Sequence, residues 1–127
     1  MATLTAVLNQ NDLDTLRSRL CADRKAVTSI IESTKESIAA LVHSRSSADG
    51  DDEHDPEGAT ISTQFSESNA LLDHARHHLD QVNLALAKFA TDTYGRCDLC
   101  AGHIPIERLE VRPHAAHCLR CAEVTGS

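Results

Sequence analysis

Two Cys-x-x-Cys pairs, Cys97-Asp98-Leu99-Cys100 and Cys118-Leu119-Arg120-Cys121, lie near the end of this 127-residue chain with seventeen residues between them. Each pair offers two thiolates from one short knuckle, and two knuckles joined by a loop close one tetrahedron around a metal ion. A terminal segment this short cannot bury a core without a metal. The spacing therefore predicts one structural Zn2+ held by Cys97, Cys100, Cys118 and Cys121. A redox dithiol or a pair of disulfides are the competing uses of such cysteines, and the doubled motif favours zinc over both. Four thiolates leave no open coordination position, so the metal is expected to be structural and not a Lewis acid. His114 and His117 flank the second knuckle, but with four cysteines in register neither is expected as a ligand.

The rest of the chain must fold with little aromatic bulk, since it holds two Phe, one Tyr and no Trp. Ala, Leu, Ile and Val then do the burying, which favours a thin helical architecture in one domain, or one domain plus a small appendage. Nineteen acidic residues against twelve Lys and Arg give a formal charge of −7. Four thiolates subtract four and a dication adds two, so the zinc form stands at −9. Phosphate contacts need clustered cations, so this balance argues against direct DNA binding and points to a protein partner with a basic surface. Residues 94–127 themselves hold four Arg against four acids, which gives the zinc segment no basic face. Met1–Gln10 lacks a basic start and an apolar run, no stretch is apolar enough to span a bilayer, and the thiol usage fits a reducing compartment, so a cytoplasmic protein without a secretory signal is expected. Cys21, without a local partner, reads as a small buried hydrophobe.

Ile61, Phe65, Ser68, Leu72, Ala75, Leu79, Val82, Leu86 and Phe89 follow one another at alternating spacings of four and three. That is a coiled-coil seam, and it predicts a helix over 61–91 that Gly95 is placed to end. Upstream, Asn11 is the expected N-cap of a helix over 12–42, with Asp12 and Asp14 in its first turn. Leu13, Leu16, Leu20, Val27, Ile30, Ile31, Ile38, Leu41 and Val42 mark a broader, less regular apolar face there. Two helices of equal length joined by one polar connector suggest an antiparallel hairpin over residues 1–93, followed by a zinc-finger domain over 94–127. Pairing of the same helices between two chains is the alternative. The fold class is all-α, with a small four-cysteine zinc ribbon whose one side Ile104, Ile106, Leu109 and Val111 are expected to cover.

The connector, residues 44–60, puts six carboxylates into the nine residues Asp49–Glu57. Self-repulsion keeps such a run solvated, and on a hairpin it forms the tip. Asp55 has a second role available, as N-cap to a turn begun by Pro56. On the second helix, His74, His77 and His78 cluster, and His74 with His78 has the four-residue spacing that can chelate. No carboxylate completes a catalytic set with them, so they are expected on a solvated helix face. No glycine-rich phosphate loop or serine elbow is present, and the chain is expected not to be an enzyme.

The assembled pattern resembles the DksA/TraR family of bacterial transcription regulators. The run Tyr94-Gly95-x-Cys97-x-x-Cys100, then Ile104-x-Ile106-x-Arg108-Leu109-Glu110-x-Arg112-Pro113, then Cys118-x-x-Cys121 carries the likeness. The resemblance implies a protein that binds RNA polymerase directly, inserts the hairpin into its secondary channel and modulates initiation with tip acids, often with the alarmone ppGpp. Asp52, Asp55 and Glu57 are the tip residues it points to here, and no ppGpp ligands are assigned. The family tip, Asp-x-x-Asp-x-Ala, aligned on Asp55-Pro56 meets Gly58 and Thr60 in this chain. Ala101 replaces the glycine that usually follows the second cysteine. The chain ends six residues after Cys121, so the C-terminal helix of longer members is expected to be missing. The alternative reading is a zinc-ribbon adaptor that docks another protein, with no polymerase role.

Overall fold

The structure, a computed structural model, describes residues 8–47 and 56–126, with side chains over 8–44 and 60–126. Four helices follow in order: α1 (Gln10–Ser47), α2 (Pro56–Ala90), α3 (Ile106–Val111) and α4 (Leu119–Thr125). Among the described residues there is no strand, and a single antiparallel bridge pairs Arg96 with His103.

α1 begins two residues earlier than Asn11 would set it. Its N-cap is Asn9, whose Oδ1 accepts from the Asp12 backbone N–H at 2.8 Å. Asp12 returns the bond, its Oδ2 accepting from the Asn9 N–H at 3.2 Å. This is a reciprocal capping box, and it satisfies two backbone donors that the first turn otherwise leaves open. Leu8 and Leu13 occupy the flanking positions of a hydrophobic staple, and both pack on the core. Asn11, inside the first turn, caps nothing.

α2 starts at Pro56, five residues before the seam does. Proline is at ease there, because the first helical residue has no intrahelical use for an N–H. The helices thus take residues at both ends of the expected 44–60 connector. α2 ends at Ala90, and Gly95 is not what ends it. Asp92 takes the left-handed conformation (φ 56) and the Thr93 N–H donates to the Lys88 carbonyl at 2.9 Å, the six-to-one bond of a Schellman cap.

The two long helices are packed together, and the chain divides into two compact units. One comprises Met1–Lys25 with Leu79–Ser127, the other Ala26–His78. In the second unit Val27, Ile31 and Thr34 of α1 and Leu72 and Ala75 of α2 are buried. All nine seam positions of α2 are buried or half-buried. Ile30 and Val42, expected on the apolar face of α1, are instead exposed. Its inward positions run Leu13, Leu16, Leu20, Asp23, Val27, Ile31, Thr34, Ile38 and Leu41, so two polar residues sit where the apolar pattern lapses.

The first unit holds the main core: Leu16, Leu20, Val82, Ala85, Tyr94, Cys97, Ile104 and Leu109. Here the helical pair and the cysteine-bearing segment share one interior. Phe89 stacks on Tyr94 with ring centroids 4.2 Å apart, and the Arg17 guanidinium lies over the Phe89 ring. Within α3, Leu109 is fully buried and Ile106 half-buried, but Val111 is 78 % exposed. Two residues at 100° each turn Val111 to the side opposite Leu109, so it does not cover the ribbon. Cys21 is half-buried on α1.

Candidate metal centre

The first knuckle is shaped by backbone bonds before any metal is considered. Beyond α2, Gly95 adopts φ +87, and a Cβ there would stand 3.1 Å from Leu8 Cδ1 and 3.7 Å from Leu109 Cδ1. The close approach of these leucines explains a glycine at this turn better than helix termination does. The Gly95 carbonyl accepts from the Ile104 N–H at 2.7 Å, and the Cys97 N–H donates to the Gly102 carbonyl at 2.7 Å. Between these rungs the chain turns tightly: the Ala101 N–H donates to the Cys97 carbonyl, and Ala101 itself has φ 62.

The second knuckle is tied to the first by independent bonds. The Asp98 N–H donates to the Ala116 carbonyl at 2.9 Å. Arg108 of α3 donates from Nε to the His117 carbonyl at 2.9 Å, just before Cys118. Cys118 then serves as N-cap of α4, which carries Cys121 on its first turn. Lys88 in the last turn of α2 pairs with Asp98 at 2.8 Å, fastening the helix end to the knuckle. Arg19 of α1 donates to the Glu110 carbonyl of α3.

These constraints bring the sulfurs of Cys97, Cys100, Cys118 and Cys121 within 4.8 Å of one another. Cys100 and Cys118 stand 3.9 Å apart. Zinc–sulfur bonds of about 2.3 Å in a tetrahedron separate sulfurs by roughly 3.8 Å, so the cage fits that ion. Neither His114 nor His117 belongs to the converging group. No disulfide links the cysteines.

The four sulfurs do not ionise alike. Burial opposes charge on Cys97, but backbone N–H groups of Cys100, Cys118 and Leu99, with the Cys121 thiol, outweigh it and lower Cys97 to about 6. Cys121 is pushed up to about 12, first by its hydrogen bonds to the sulfurs of Cys118 and Cys97, then by burial and the charge of Cys100. A cage that stabilises one thiolate and resists the last is completed by a dication, which offsets the mutual repulsion.

Of the expected tip residues, Asp52 and Asp55 lie outside the described residues. Glu57 falls in the first turn of α2, its side chain likewise outside them. His74 and His77 are exposed on α2 and His78 is half-buried. No helix among the described residues is long and apolar enough to cross a membrane.

A helical hairpin bearing a four-cysteine zinc centre is the class of protein that this fold and site define. Residues 92–125 match the prokaryotic dksA/traR C4-type zinc finger. The chain is 38 % identical over 63 residues to the RNA polymerase-binding transcription factor DksA of Haemophilus influenzae, covering 50 % of this chain and 43 % of that one. It is 33 % identical over 84 residues to general stress protein 16O of Bacillus subtilis, covering 66 % and 48 % respectively. The chain thus spans less than half the length of these curated relatives. The solved structure of transcription factor DksA2 from Pseudomonas aeruginosa superposes with a TM-score of 0.75 over 93 % of this chain and 85 % of that one, at 23 % identity, a likeness of fold. The C4 description makes the ion of the cysteine cage a single structural Zn2+.

Proposed function

We propose that this chain is a cytoplasmic transcription regulator that binds RNA polymerase directly and catalyses no reaction. The observation that carries this reading is the pairing of a dksA/traR zinc finger with two long packed helices. A relative 38 % identical over 63 residues is described as an RNA polymerase-binding transcription factor. The finer reading places the hairpin in the polymerase secondary channel, with Asp52, Asp55 and Glu57 as its working acids. The charge of the chain, −7 before metal, suits electrostatic attraction to a basic-lined channel and disfavours DNA. Residues 94–127 then act as the zinc-finger base, and ppGpp is an optional partner without assigned ligands.

Copurification from a bacterial lysate tests the partner, and recovery of RNA polymerase subunits is the expected result. Recovery of another protein without polymerase would favour the adaptor reading. In vitro transcription with and without ppGpp tests the tip: D52N, D55N and E57Q together should remove the effect on initiation while binding persists. An unchanged effect would end the tip assignment.

A further inference from the structure

We infer that a cleft beside the first knuckle binds a small zwitterion with an apolar body, of the α-amino acid class, whose carboxylate is met by Arg17, Arg96 and His103. The cleft has a volume of about 300 Å3 and is lined from three stretches of chain: the start of α1, the end of α2 and the first knuckle. Ligand pockets run from about 300 to 1,000 Å3, so this one suits a small molecule. Its apolar part is formed by Leu8, Leu13 and Phe89, all packed on the main core. Phe89 stacks on Tyr94, which holds that ring in place. The cysteine sulfurs line no part of the cleft.

Arg96 and His103 stand opposite each other in the antiparallel bridge, and side chains so paired lie on one face, starting about 4.5–5.5 Å apart. Backbone bonds hold that pair in register: the Ile104 N–H donates to the Gly95 carbonyl and the Cys97 N–H to the Gly102 carbonyl. Arg17 reaches the same cleft from α1, its guanidinium 5.8 Å from the Phe89 ring centroid. Two guanidinium groups and an imidazole thus line one small cleft in a chain with nineteen acids against twelve Lys and Arg. Guanidinium donors form charge-assisted hydrogen bonds that match a carboxylate. Asp14 and Asp92 line the cleft too. Their charges disfavour a polyanion such as phosphate and suit an ammonium group beside the carboxylate. Gln10 Nε2 donates to Asp14 Oδ1 at 2.9 Å, which orients that side chain. An amino acid with an aliphatic side chain meets all three demands at once.

L-Leucine is the probe, titrated into the zinc-loaded full chain while backbone amide NMR shifts are followed. Saturable shifts confined to the surroundings of Leu13, Arg96 and His103 are expected. L-Leucinamide lacks the carboxylate and N-acetyl-L-leucine the ammonium, and each should bind about tenfold more weakly. R96Q should weaken leucine binding by a similar factor while keeping its zinc and its helical circular dichroism. D92N, whose asparagine also tolerates the left-handed backbone at φ 56, should weaken binding of leucine but not of N-acetyl-L-leucine. No saturable shifts, equal leucine binding by wild type and R96Q, tighter binding of inorganic phosphate than of leucine, or N-acetyl-L-leucine matching leucine would each overturn the assignment.

Discussion

The Tyr94 hydroxyl donates a hydrogen bond of 2.8 Å to the carbonyl oxygen of Pro113, nineteen residues further along the chain. Tyr94 leads into the first knuckle and Pro113 precedes the second, so this bond ties together the two approaches to the cysteine pairs. The same ring stacks on Phe89 at the end of α2. One side chain therefore joins the helix, both knuckle approaches and the buried core.

Y94F should cost about 1–3 kcal/mol, because it leaves the Pro113 carbonyl without its partner in a buried setting. Burial pushes the Tyr94 phenol up to about 12, with the Arg19 charge opposing in part. Its folded pKa is thus above the unfolded value, so the native state prefers the neutral ring. That contribution is whole below pH 10 and is lost as pH rises toward 12. As the chain has one Tyr and no Trp, tyrosinate absorbance reports this residue alone. Onset near the ordinary phenol range in the folded protein would contradict the burial.

The α2 seam was legible because its apolar residues kept strict four-three spacing and every one of them is turned inward. Ala85 escaped that pattern: it is small and off the repeat, yet only 4 % exposed. In α1 the pattern misled at particular places. Thr34 is buried where periodicity showed a gap, and Ile30, one residue before the true inward position Ile31, is exposed. Asn9 and Asn11 are equally good caps by residue type, and the choice fell to Asn9, whose partner Asp12 and flanking Leu8 and Leu13 suit that register. The cysteine cage was readable from spacing alone, since covalent proximity already pairs the sulfurs. The backbone bonds that aim the two pairs at each other have no such signature.

Removing the Asn9 cap should weaken α1 at its root. N9A leaves the Asp12 N–H without an acceptor and should destabilise the protein by about 1 kcal/mol, within a usual range of about 0.5–2. N11A, at the position that sequence alone favoured, should change stability by less than about 0.5 kcal/mol. Denaturant unfolding of the two variants in parallel decides between the caps, and a larger loss for N11A would reverse the assignment.

Two positive-φ positions should respond in opposite directions. G95A places a Cβ 3.1 Å from Leu8 at φ +87, so it combines backbone strain of about 1–2 kcal/mol with a crowded contact. A101G relieves the strain at φ 62. That relief, about 1–2 kcal/mol, exceeds the roughly 0.4–1 kcal/mol that glycine adds to unfolded-chain entropy. A modest net stabilisation is expected, read as a raised midpoint of zinc-dependent unfolding. A loss on A101G would mean that the alanine methyl makes a contact worth more than the strain.

Zinc removal should unfold the cysteine-bearing segment first. Structural zinc binding contributes roughly 10 kcal/mol or more, comparable to the whole stability of a small domain, so the segment has no other source of order that large. Its interior is continuous with Leu16, Leu20, Val82 and Ala85, so chelation should also loosen the start of α1 and the end of α2. The unit Ala26–His78 buries Val27, Ile31, Leu72 and Ala75 without any sulfur and should keep its helices. Hydrogen exchange before and after chelation should therefore show protection lost across 94–126, reduced near Leu16 and Val82, and retained near Ile31 and Leu72. Acidification should release zinc in the same way, because protons compete for the thiolates. Loss of all helical signal on chelation would show that the paired helices depend on the metal throughout their length.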